Sequence, residues 1–343
     1  MNKDWYVYNN TNSFEKDALA KRVDKMPPWR DKAEKAEDVE KVETKNNYYY
    51  TSNDALELAI NTAIYLRRPL LVTGKPGVGK STLAKAIAQE LTGKEPLKWH
   101  ITSKSELKDG LYAYDGLARL HDIQMKRLYT ELKDEDEEAK HYRSHDVSMK
   151  NYLTLNPLGE AFLSKETRVV LIDEIDKSNI DLPNDLLHVF EELEFLIPEV
   201  KRTNRALTLN LEETNEDVTI PASGWVKCQE DFPIVIMTSN GERDFPAAFL
   251  RRCICVDMHL PDGDEAKKEE LSEMIENHLG TLESSKKDSL GNLIDEYIKM
   301  IKEDNPLPTN DQLLNAAFLL LNNDSSDENY QKALEKILLQ ESK

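Results

Sequence analysis

Residues 69–82, with the sequence PLLVTGKPGVGKST, decide the fold of this chain. The apolar residues at 70–72 predict a short buried strand, and residues 74–81 follow the pattern G-x-x-x-x-G-K-S. Downstream, Leu83, Ile87 and Leu91 recur at a four-residue spacing, which is typical of one face of a helix. A strand, a glycine-rich loop and a helix in this order predict a site for the phosphates of a nucleotide.

Each residue type in this loop has a physical role in binding phosphate. Glycines let successive backbone N–H groups turn inward around phosphate oxygens, and the start of the following helix adds positive potential. Lys80 can then reach the β- and γ-phosphates of ATP, and the Ser81 hydroxyl can bind Mg²⁺. The predicted nucleotide-binding residues are therefore Gly74, Pro76, Gly77, Val78, Gly79, Lys80, Ser81 and Thr82.

A second apolar run, RVVLIDE at residues 168–174, ends in two carboxylates. Four consecutive apolar residues suit a strand that is buried on both faces of a parallel sheet, and ligands bind at the carboxyl ends of such strands. This pattern matches a Walker B motif. We predict that Asp173 orients Mg²⁺ and that Glu174 polarises the water that attacks the γ-phosphate. The alternative is that the two carboxylates cap a helix.

A third predicted strand, FPIVIMT at residues 232–238, is followed by Ser239 and Asn240. A polar side chain at this end of a neighbouring strand can reach the γ-phosphate and the attacking water, so Asn240 is predicted to be a sensor residue. Arg251 and Arg252 follow a short turn. A planar cation at that position suits an arginine finger, which reaches the phosphates bound by an adjacent subunit.

The remaining patterns predict an α/β fold with a parallel sheet, an inserted β-hairpin and a small all-helical C-terminal domain. The hairpin is predicted within residues 194–225, where leucines alternate at 207, 209 and 211, and Thr309 and Gln312 have the spacing of a helix capping box. The predicted domains are a polar arm at 1–47, a nucleotide-binding domain at 48–260 and a helical lid at 261–343.

The composition restricts the classes of partner and compartment. With 45 basic and 64 acidic residues the formal net charge is −19, which argues against nucleic acid as a partner. The chain shows no signal-peptide pattern and no apolar run of membrane-span length, so we expect a cytoplasmic protein. Cys253 and Cys255 are expected to be buried strand residues rather than a metal or redox pair, and metal binding by His141 and His145 is a minor alternative.

The order of these motifs resembles that of AAA+ ATPases, and the hairpin ahead of the sensor strand narrows the resemblance to the branch with the MoxR-like ATPases. Three stretches carry it: YLRRPLLVTGKPGVGKST, VVLIDEIDKS and FPIVIMTSNGERDFPAAFLRRC. The resemblance covers about residues 48–322. It implies an ATP- and Mg²⁺-dependent ring, usually a hexamer, in which Arg252, or Arg251 as the second choice, completes the neighbour's site.

The same resemblance implies work on another protein, in the manner of a chaperone, often beside a von Willebrand factor A-type partner. One departure concerns the second-sensor arginine that the helical lid of this family often supplies, because no arginine follows Arg252 and the corresponding residues 308–311 read PTND. Two functions therefore stay open: an ATP-hydrolysing remodeller, or an ATP-dependent scaffold or switch with little turnover in a multi-gene bacterial conflict system. A DNA motor or loader is disfavoured by the acidic charge.

Overall fold

The computed structural model of the chain describes residues 54–132, 137–211, 216–228, 233–260, 263–280, 284–303 and 309–322. The polar arm predicted at 1–47, the start of the predicted lid at 261–262 and the residues after 322 lie outside them. The predicted domain boundaries after residues 47 and 260 stay predictions. Within these ranges the chain forms two compact units: residues 54–74 with the described part of 87–257, and residues 75–86 with the described part of 258–322.

The strands in chain order are β1 Leu70–Thr73, β2 Leu97–His100, β3 Tyr112–Tyr114, β4 Leu153–Leu155, β5 Val169–Asp173, β6 Glu194–Leu196, β7 Leu207–Leu211, β8 Glu216–Ile220, β9 Trp225–Lys227, β10 Ile234–Ser239 and β11 Ile254–Asp257. The helices are α1 Asp54–Tyr65, α2 Lys80–Thr92, α3 Leu107–Leu111, α4 Gly116–Leu132, α5 Glu137–Ser144, α6 Pro157–Leu163, α7 Leu182–Glu192, α8 Pro198–Thr203, α9 Ala247–Leu250, α10 Asp264–Leu279, α11 Ser284–Glu303 and α12 Asn310–Asn322. Short 3-10 turns lie at Met149–Asn151 and Ile175–Lys177.

The larger unit is built on a five-stranded parallel sheet with the order β11-β1-β10-β5-β2. Its three central strands are almost entirely buried, as their uninterrupted apolar runs predict. Helices such as α6 and α7 pack their apolar residues into the same core, where Leu158, Phe162 and Leu186 are fully buried. The sheet brings the predicted phosphate-loop, Walker B and sensor strands side by side. The predicted α/β fold with a parallel sheet is confirmed.

The inserted segment is more elaborate than the single hairpin predicted within 194–225. β7 and β8 form an antiparallel hairpin, with Leu207 opposite Ile220. β6 and β9 form a second antiparallel ribbon. In the sequence these two strands flank both the hairpin and helix α8, which begins at Pro198. Gly224 makes this compact arrangement possible, since its φ is +72° and an added Cβ would lie 2.6 Å from the carbonyl oxygen of Ile197.

The smaller unit has a helical core formed by α10, α11 and α12. Buried apolar residues from all three helices pack together, among them Leu271, Ile294 and Leu313. The predicted capping box opens α12, because the Thr309 backbone N–H donates to Gln312 Oε1 at 2.7 Å, and the Gln312 backbone N–H donates to Thr309 Oγ1 at 3.4 Å. The predicted all-helical segment after the sheet is confirmed over the described residues.

The cysteine prediction is correct for one thiol and wrong for the other. Cys253 is 6% exposed, and burial raises the pKa of its thiol to about 12. It precedes β11, so strand alternation does not place Cys255 on the same buried face. Cys255 is exposed, because β11 is an edge strand whose alternate residues face outward. Among the helices in the described ranges, none combines the length and hydropathy that a membrane span needs.

Candidate functional site

The carboxyl ends of three neighbouring strands define one edge of the sheet. Thr73 at the end of β1 pairs with Ser239 at the end of β10, and β10 lies beside β5, which ends at Asp173. Parallel strands place all their carboxyl ends together, and ligands of open α/β sheets bind at this edge. The Walker B residues and Asn240 therefore lie at the same edge, and β1, the strand that precedes the phosphate loop, ends at this edge too.

The predicted phosphate loop follows β1 and ends where α2 begins at Lys80. Gly77 and Gly79 have φ values of +81° and +99°, which side-chain-bearing residues rarely adopt. Such backbone turns point successive N–H groups into a concave surface that suits an anion. Lys80 is 7% exposed, and its Nζ donates to the carbonyl oxygen of Lys75, within the loop, at 2.8 Å. Ser81 and Thr82 are half-buried in the first turn of α2.

The start of α12 packs directly on this loop. A Cβ added to Gly77 would lie 2.7 Å from the backbone nitrogen of Asn310 and 2.9 Å from Cβ of Thr309. The buried Tyr297 of α11 donates from its hydroxyl to Asn310 Oδ1 at 2.7 Å, which fixes the first residue of α12. The residues that stand where the family's lid arginine was expected thus contact the phosphate loop itself.

The two Walker B carboxylate residues are linked through Thr238, the fifth residue of β10. Its hydroxyl donates to Asp173 Oδ1 at 2.6 Å and accepts the backbone N–H of Glu174 at 2.9 Å. Thr238 is 1% exposed, so this bridge is shielded from water, which strengthens both hydrogen bonds. On its other side, Asp173 Oδ2 lies 3.7 Å from Nδ1 of the exposed His100.

The backbone of Glu174 is left-handed, with φ 60° and ψ 50°, an uncommon conformation for a residue with a side chain. Its side chain contacts two groups. Asn240 Nδ2 donates to Glu174 Oε1 at 3.4 Å, and Lys177 Nζ donates to Glu174 Oε2 at 2.8 Å. The hydrogen bond to Glu174 raises the pKa of Lys177. The predicted base, the predicted sensor and an unpredicted lysine therefore meet at one carboxylate.

Two predicted arginine-finger residues follow α9. Both Arg251 and Arg252 are exposed. Arg252 Nε donates to Glu191 Oε1 of α7, and its Nη1 lies 3.4 Å from the carbonyl oxygen of Ala248. In the structure Arg252 is thus held by a carboxylate of its own chain. Because both side chains are about half-exposed, water screens this ion pair and it contributes little stability.

The structure joins Asp173, Glu174 and Asn240 in one hydrogen-bonded network, and it places the arginines on a different element. Sequence reasoning missed four further members of this region: Thr238, Asp176, Lys177 and Arg243. The sequence does contain a signal for Asp176. An acidic residue directly after a buried strand lies close to the core, where its charge needs hydrogen-bond donors. Thr238 and Arg243 have no distinctive spacing, because their partners lie on another strand or loop. Lys177 pairs with Glu174 three residues earlier only because the backbone turns sharply at Glu174.

Comparison with known proteins gives one family match. The family model described as AAA domain (dynein-related subfamily) matches residues 69–253, which include the loop, both later motifs and the two arginines. No curated protein matches the chain.

Two solved structures illustrate the more distant likeness. One is Hsp104 in its closed state with ATPγS and FITC casein, at 18% identity and a TM-score of 0.38, over 72% of this chain and 40% of that one. The other is PCH-2 of C. elegans, at 15% identity and a TM-score of 0.35, over 80% of this chain and 69% of that one. The chain thus spans less than half the length of the Hsp104 chain.

Proposed function

Because this chain belongs to the dynein-related subfamily of AAA domains, and so to the AAA+ ATPases, we propose that it binds ATP and hydrolyses it to ADP and phosphate. The observation that carries the proposal is the buried link Asp173–Thr238–Glu174, extended to Asn240, at the carboxyl edge of the sheet. A network of this kind orients a base and a metal ligand together, which hydrolysis of a phosphoanhydride requires.

The residues of the loop suit the triphosphate of ATP. Gly77 and Gly79 have the backbone conformations of an anion-binding loop, and α2 begins directly after it. When ATP binds, Lys80 gives up its hydrogen bond to the Lys75 carbonyl oxygen and donates to the β- and γ-phosphates instead. The new contact is charge-assisted and therefore stronger.

The polar groups also suit Mg²⁺, which prefers hydroxyl, carboxylate and water oxygens. We assign Ser81 and Asp173 to it, with Thr238 holding the Asp173 carboxylate in place. When bound, Mg²⁺ neutralises the charge that develops on the phosphate oxygens.

Glu174 acts as the base. It accepts a hydrogen bond from the attacking water and polarises it toward the γ-phosphorus, while Asn240 fixes the carboxylate from one side. Lys177 competes for the other carboxylate oxygen, so its ion pair has to yield before Glu174 can accept from water. Opening costs little, because both side chains are about two-fifths exposed.

We further propose that the chain forms a ring of six subunits, the number that the resemblance to MoxR-like ATPases implies. In this ring Arg252 acts on the neighbour's ATP, and Arg251 is the second candidate. The exposure of both arginines supports action in trans. The work performed is remodelling or assembly of a partner protein, with a von Willebrand factor A-type protein as the candidate. Location in the cytoplasm stays a prediction.

A second function, an ATP-dependent scaffold or switch, is favoured by the contact of α12 with the phosphate loop. Thr309 and Asn310 stand there in place of a cationic side chain. Unless another basic group substitutes for the lid arginine, the lid responds to ATP through packing. Such a response suits assembly of partners, including those of a bacterial conflict system, more than fast turnover.

ATP turnover per protomer, measured against protein concentration, separates these functions. We expect a rate that rises steeply and then reaches a plateau, since a site completed in trans is active only in the assembly. Glu174→Gln is the matched control and should bind ATP without turnover. Bound ATP with no turnover at any concentration would favour the scaffold, and normal turnover by Glu174→Gln would remove Glu174 from its role.

A further inference from the structure

We propose that Asp176 and Arg243 are positioning residues that clamp the Walker B turn to the sensor loop and thereby hold Asn240 on Glu174. The inference rests on the proposed ATP hydrolysis and extends it to two residues outside the set assigned to the nucleotide, the metal and the attacking water. The Walker B turn is defined as residues 174–178 and the sensor loop as residues 239–243.

Asp176 makes the buried half of the clamp. It is 3% exposed, and its Oδ2 accepts the backbone N–H of Asn240 at 2.8 Å and that of Glu242 at 3.2 Å. One carboxylate oxygen therefore binds two amides of the sensor loop. Charge-assisted hydrogen bonds are the stronger class, and burial strengthens them further.

Arg243 makes the second, exposed part of the clamp, and here the side chain belongs to the sensor loop and the backbone group to the Walker B turn. Its Nη1 donates to the carbonyl oxygen of Ser178 at 2.6 Å, and Ser178 is 2% exposed. A side chain of the turn thus binds the backbone of the loop, and a side chain of the loop binds the backbone of the turn. Reciprocal bonds of this kind restrain both segments at two points.

The geometry at Glu174 explains why such restraint matters. The bond from Asn240 Nδ2 to Glu174 Oε1 measures 3.4 Å, close to the upper limit for a hydrogen bond. A shift of roughly 0.3 Å in the wrong direction would break it, because hydrogen bonds weaken steeply beyond about 3.5 Å. Asn240 can therefore hold the base only if its own loop is fixed.

Only one of the two Asp176 carboxylate oxygens accepts hydrogen bonds, so a conservative substitution can keep that oxygen. Oδ1 is buried and accepts no hydrogen bond from the residues that the structure describes, whereas Oδ2 makes both contacts. Asparagine keeps an oxygen of the same geometry and so retains the acceptor. Because asparagine loses the negative charge, Asp176→Asn should weaken the clamp, but less than Asp176→Ala, which removes the acceptor.

The first test measures steady-state ATP turnover, normalised to bound nucleotide so that unfolded protein does not count. Asp176→Ala should lower kcat at least about tenfold, the effect of losing charge-assisted hydrogen bonds, with KM for ATP unchanged within about twofold. Asp176→Asn should stay within about threefold of the unaltered protein. Arg243→Ala should lower kcat by about threefold to tenfold, and its exposed position makes loss of the fold a lesser concern.

A double-mutant cycle with Asn240→Ala tests whether Asp176 acts through the Asn240 side chain. In that background Asp176→Ala should lower kcat by less than about threefold, because the contact it positions is already absent. An equal factor in both backgrounds would overturn the proposal. Loss of activity in Asp176→Asn as large as in Asp176→Ala would also overturn it.

A second readout needs no turnover. Hydrogen exchange of the Asn240 and Glu242 amides should rise at least about tenfold in Asp176→Ala, because their acceptor is gone, and rise by less than that in Asp176→Asn. Unchanged exchange in Asp176→Ala would overturn the clamp whether or not the chain hydrolyses ATP. Faster exchange combined with normal turnover by Glu174→Gln would instead keep the clamp and remove the proposed base.

Discussion

At the scale of single residues, Glu270 on α10 is a carboxyl group whose surroundings oppose its charge. Burial raises its pKa from 4.5 to about 7, and the neighbouring carboxylate of Glu273 adds to the rise, while His259 opposes it. Between these two values the folded chain holds a proton that the unfolded chain has released. The free energy of unfolding therefore falls as the pH rises from about 4.5 to about 7.

Replacing the ionisable group should remove this effect. We expect Glu270→Gln to stabilise the protein at pH 8 by about 1–2 kcal/mol, less than the full shift implies because the group is only half-buried. The gain should shrink at pH 5.5 and be absent below pH 4.5, where both forms are neutral. Thermal unfolding at pH 5.5 and 8 measures it. Glu269→Gln, at an exposed neighbouring position, controls for net charge, and an equal gain there would contradict the interpretation.

The roles of some site residues can be predicted from the sequence, and those of others cannot. The glycines and Lys80 of the loop, and the two carboxylates after β5, form patterns with fixed local spacing, so a sequence alone suggests their roles. Thr238 and Lys177 do not, because their partners are fixed by strand pairing and by a backbone turn at Glu174. The sequence does not predict the Arg252–Glu191 ion pair either, since α7 and the end of α9 are distant in sequence and contact each other only in the folded chain.

At the scale of elements, the contact between the phosphate loop and α12 gives a sharp steric test. Gly77→Ala should both strain the backbone, where φ is +81°, and force α12 away from the loop. Gly93→Ala is a matched control, with φ +65° and no atom within 4 Å of the added Cβ. Both changes carry the backbone penalty of about 1 kcal/mol, and Gly77→Ala alone adds the steric clash.

We expect ATP affinity to fall at least about tenfold in Gly77→Ala and by less than about twofold in Gly93→Ala. Titration with a fluorescent ATP analogue measures the affinities, and thermal unfolding of both variants separates binding from stability. Equal affinities in the two variants would show that the contact with α12 has no part in nucleotide binding.

Elements also differ in how well the sequence predicts them. The central strands, α2 and the C-terminal helices have apolar runs or four-residue periodicity over many positions, and they were predicted correctly. The 17-residue helix α4 was not predicted as a helix. The β3–β4 and β6–β9 ribbons were not, because each strand has only three residues and its partner is distant in sequence. A three-residue strand is too short to display alternation, so tertiary pairing decides it.

At the scale of the whole molecule, the site is proposed to be complete only when an arginine arrives from a neighbouring subunit. Arg252→Ala lacks the finger but keeps the base, whereas Glu174→Gln lacks the base but keeps the finger. Mixed rings place an intact Glu174 next to an intact Arg252 at some interfaces. We expect the mixture to regain measurable ATP turnover, while each variant alone stays near background.

Arg251→Ala in place of Arg252→Ala provides the matched comparison, because Arg251 is exposed at the adjacent position and is the second candidate for the finger. Recovery with both variants would assign the finger to the pair. If subunit exchange is demonstrated by differently labelled chains and no mixing ratio restores turnover, action in trans is excluded.

The order of strands in the sheet has a consequence for synthesis of the chain. β1 carries the phosphate loop, yet both of its neighbours come late: Thr73 binds Asp257 across 184 positions, and β10 is also distant. At roughly 5–20 residues per second, a ribosome needs about 10–40 s to deliver them. During that interval the apolar residues of β1 have no strand to pair with, and unpaired apolar edges promote aggregation. A protein proposed to remodel others therefore itself passes through a stage of growth at which a chaperone is useful.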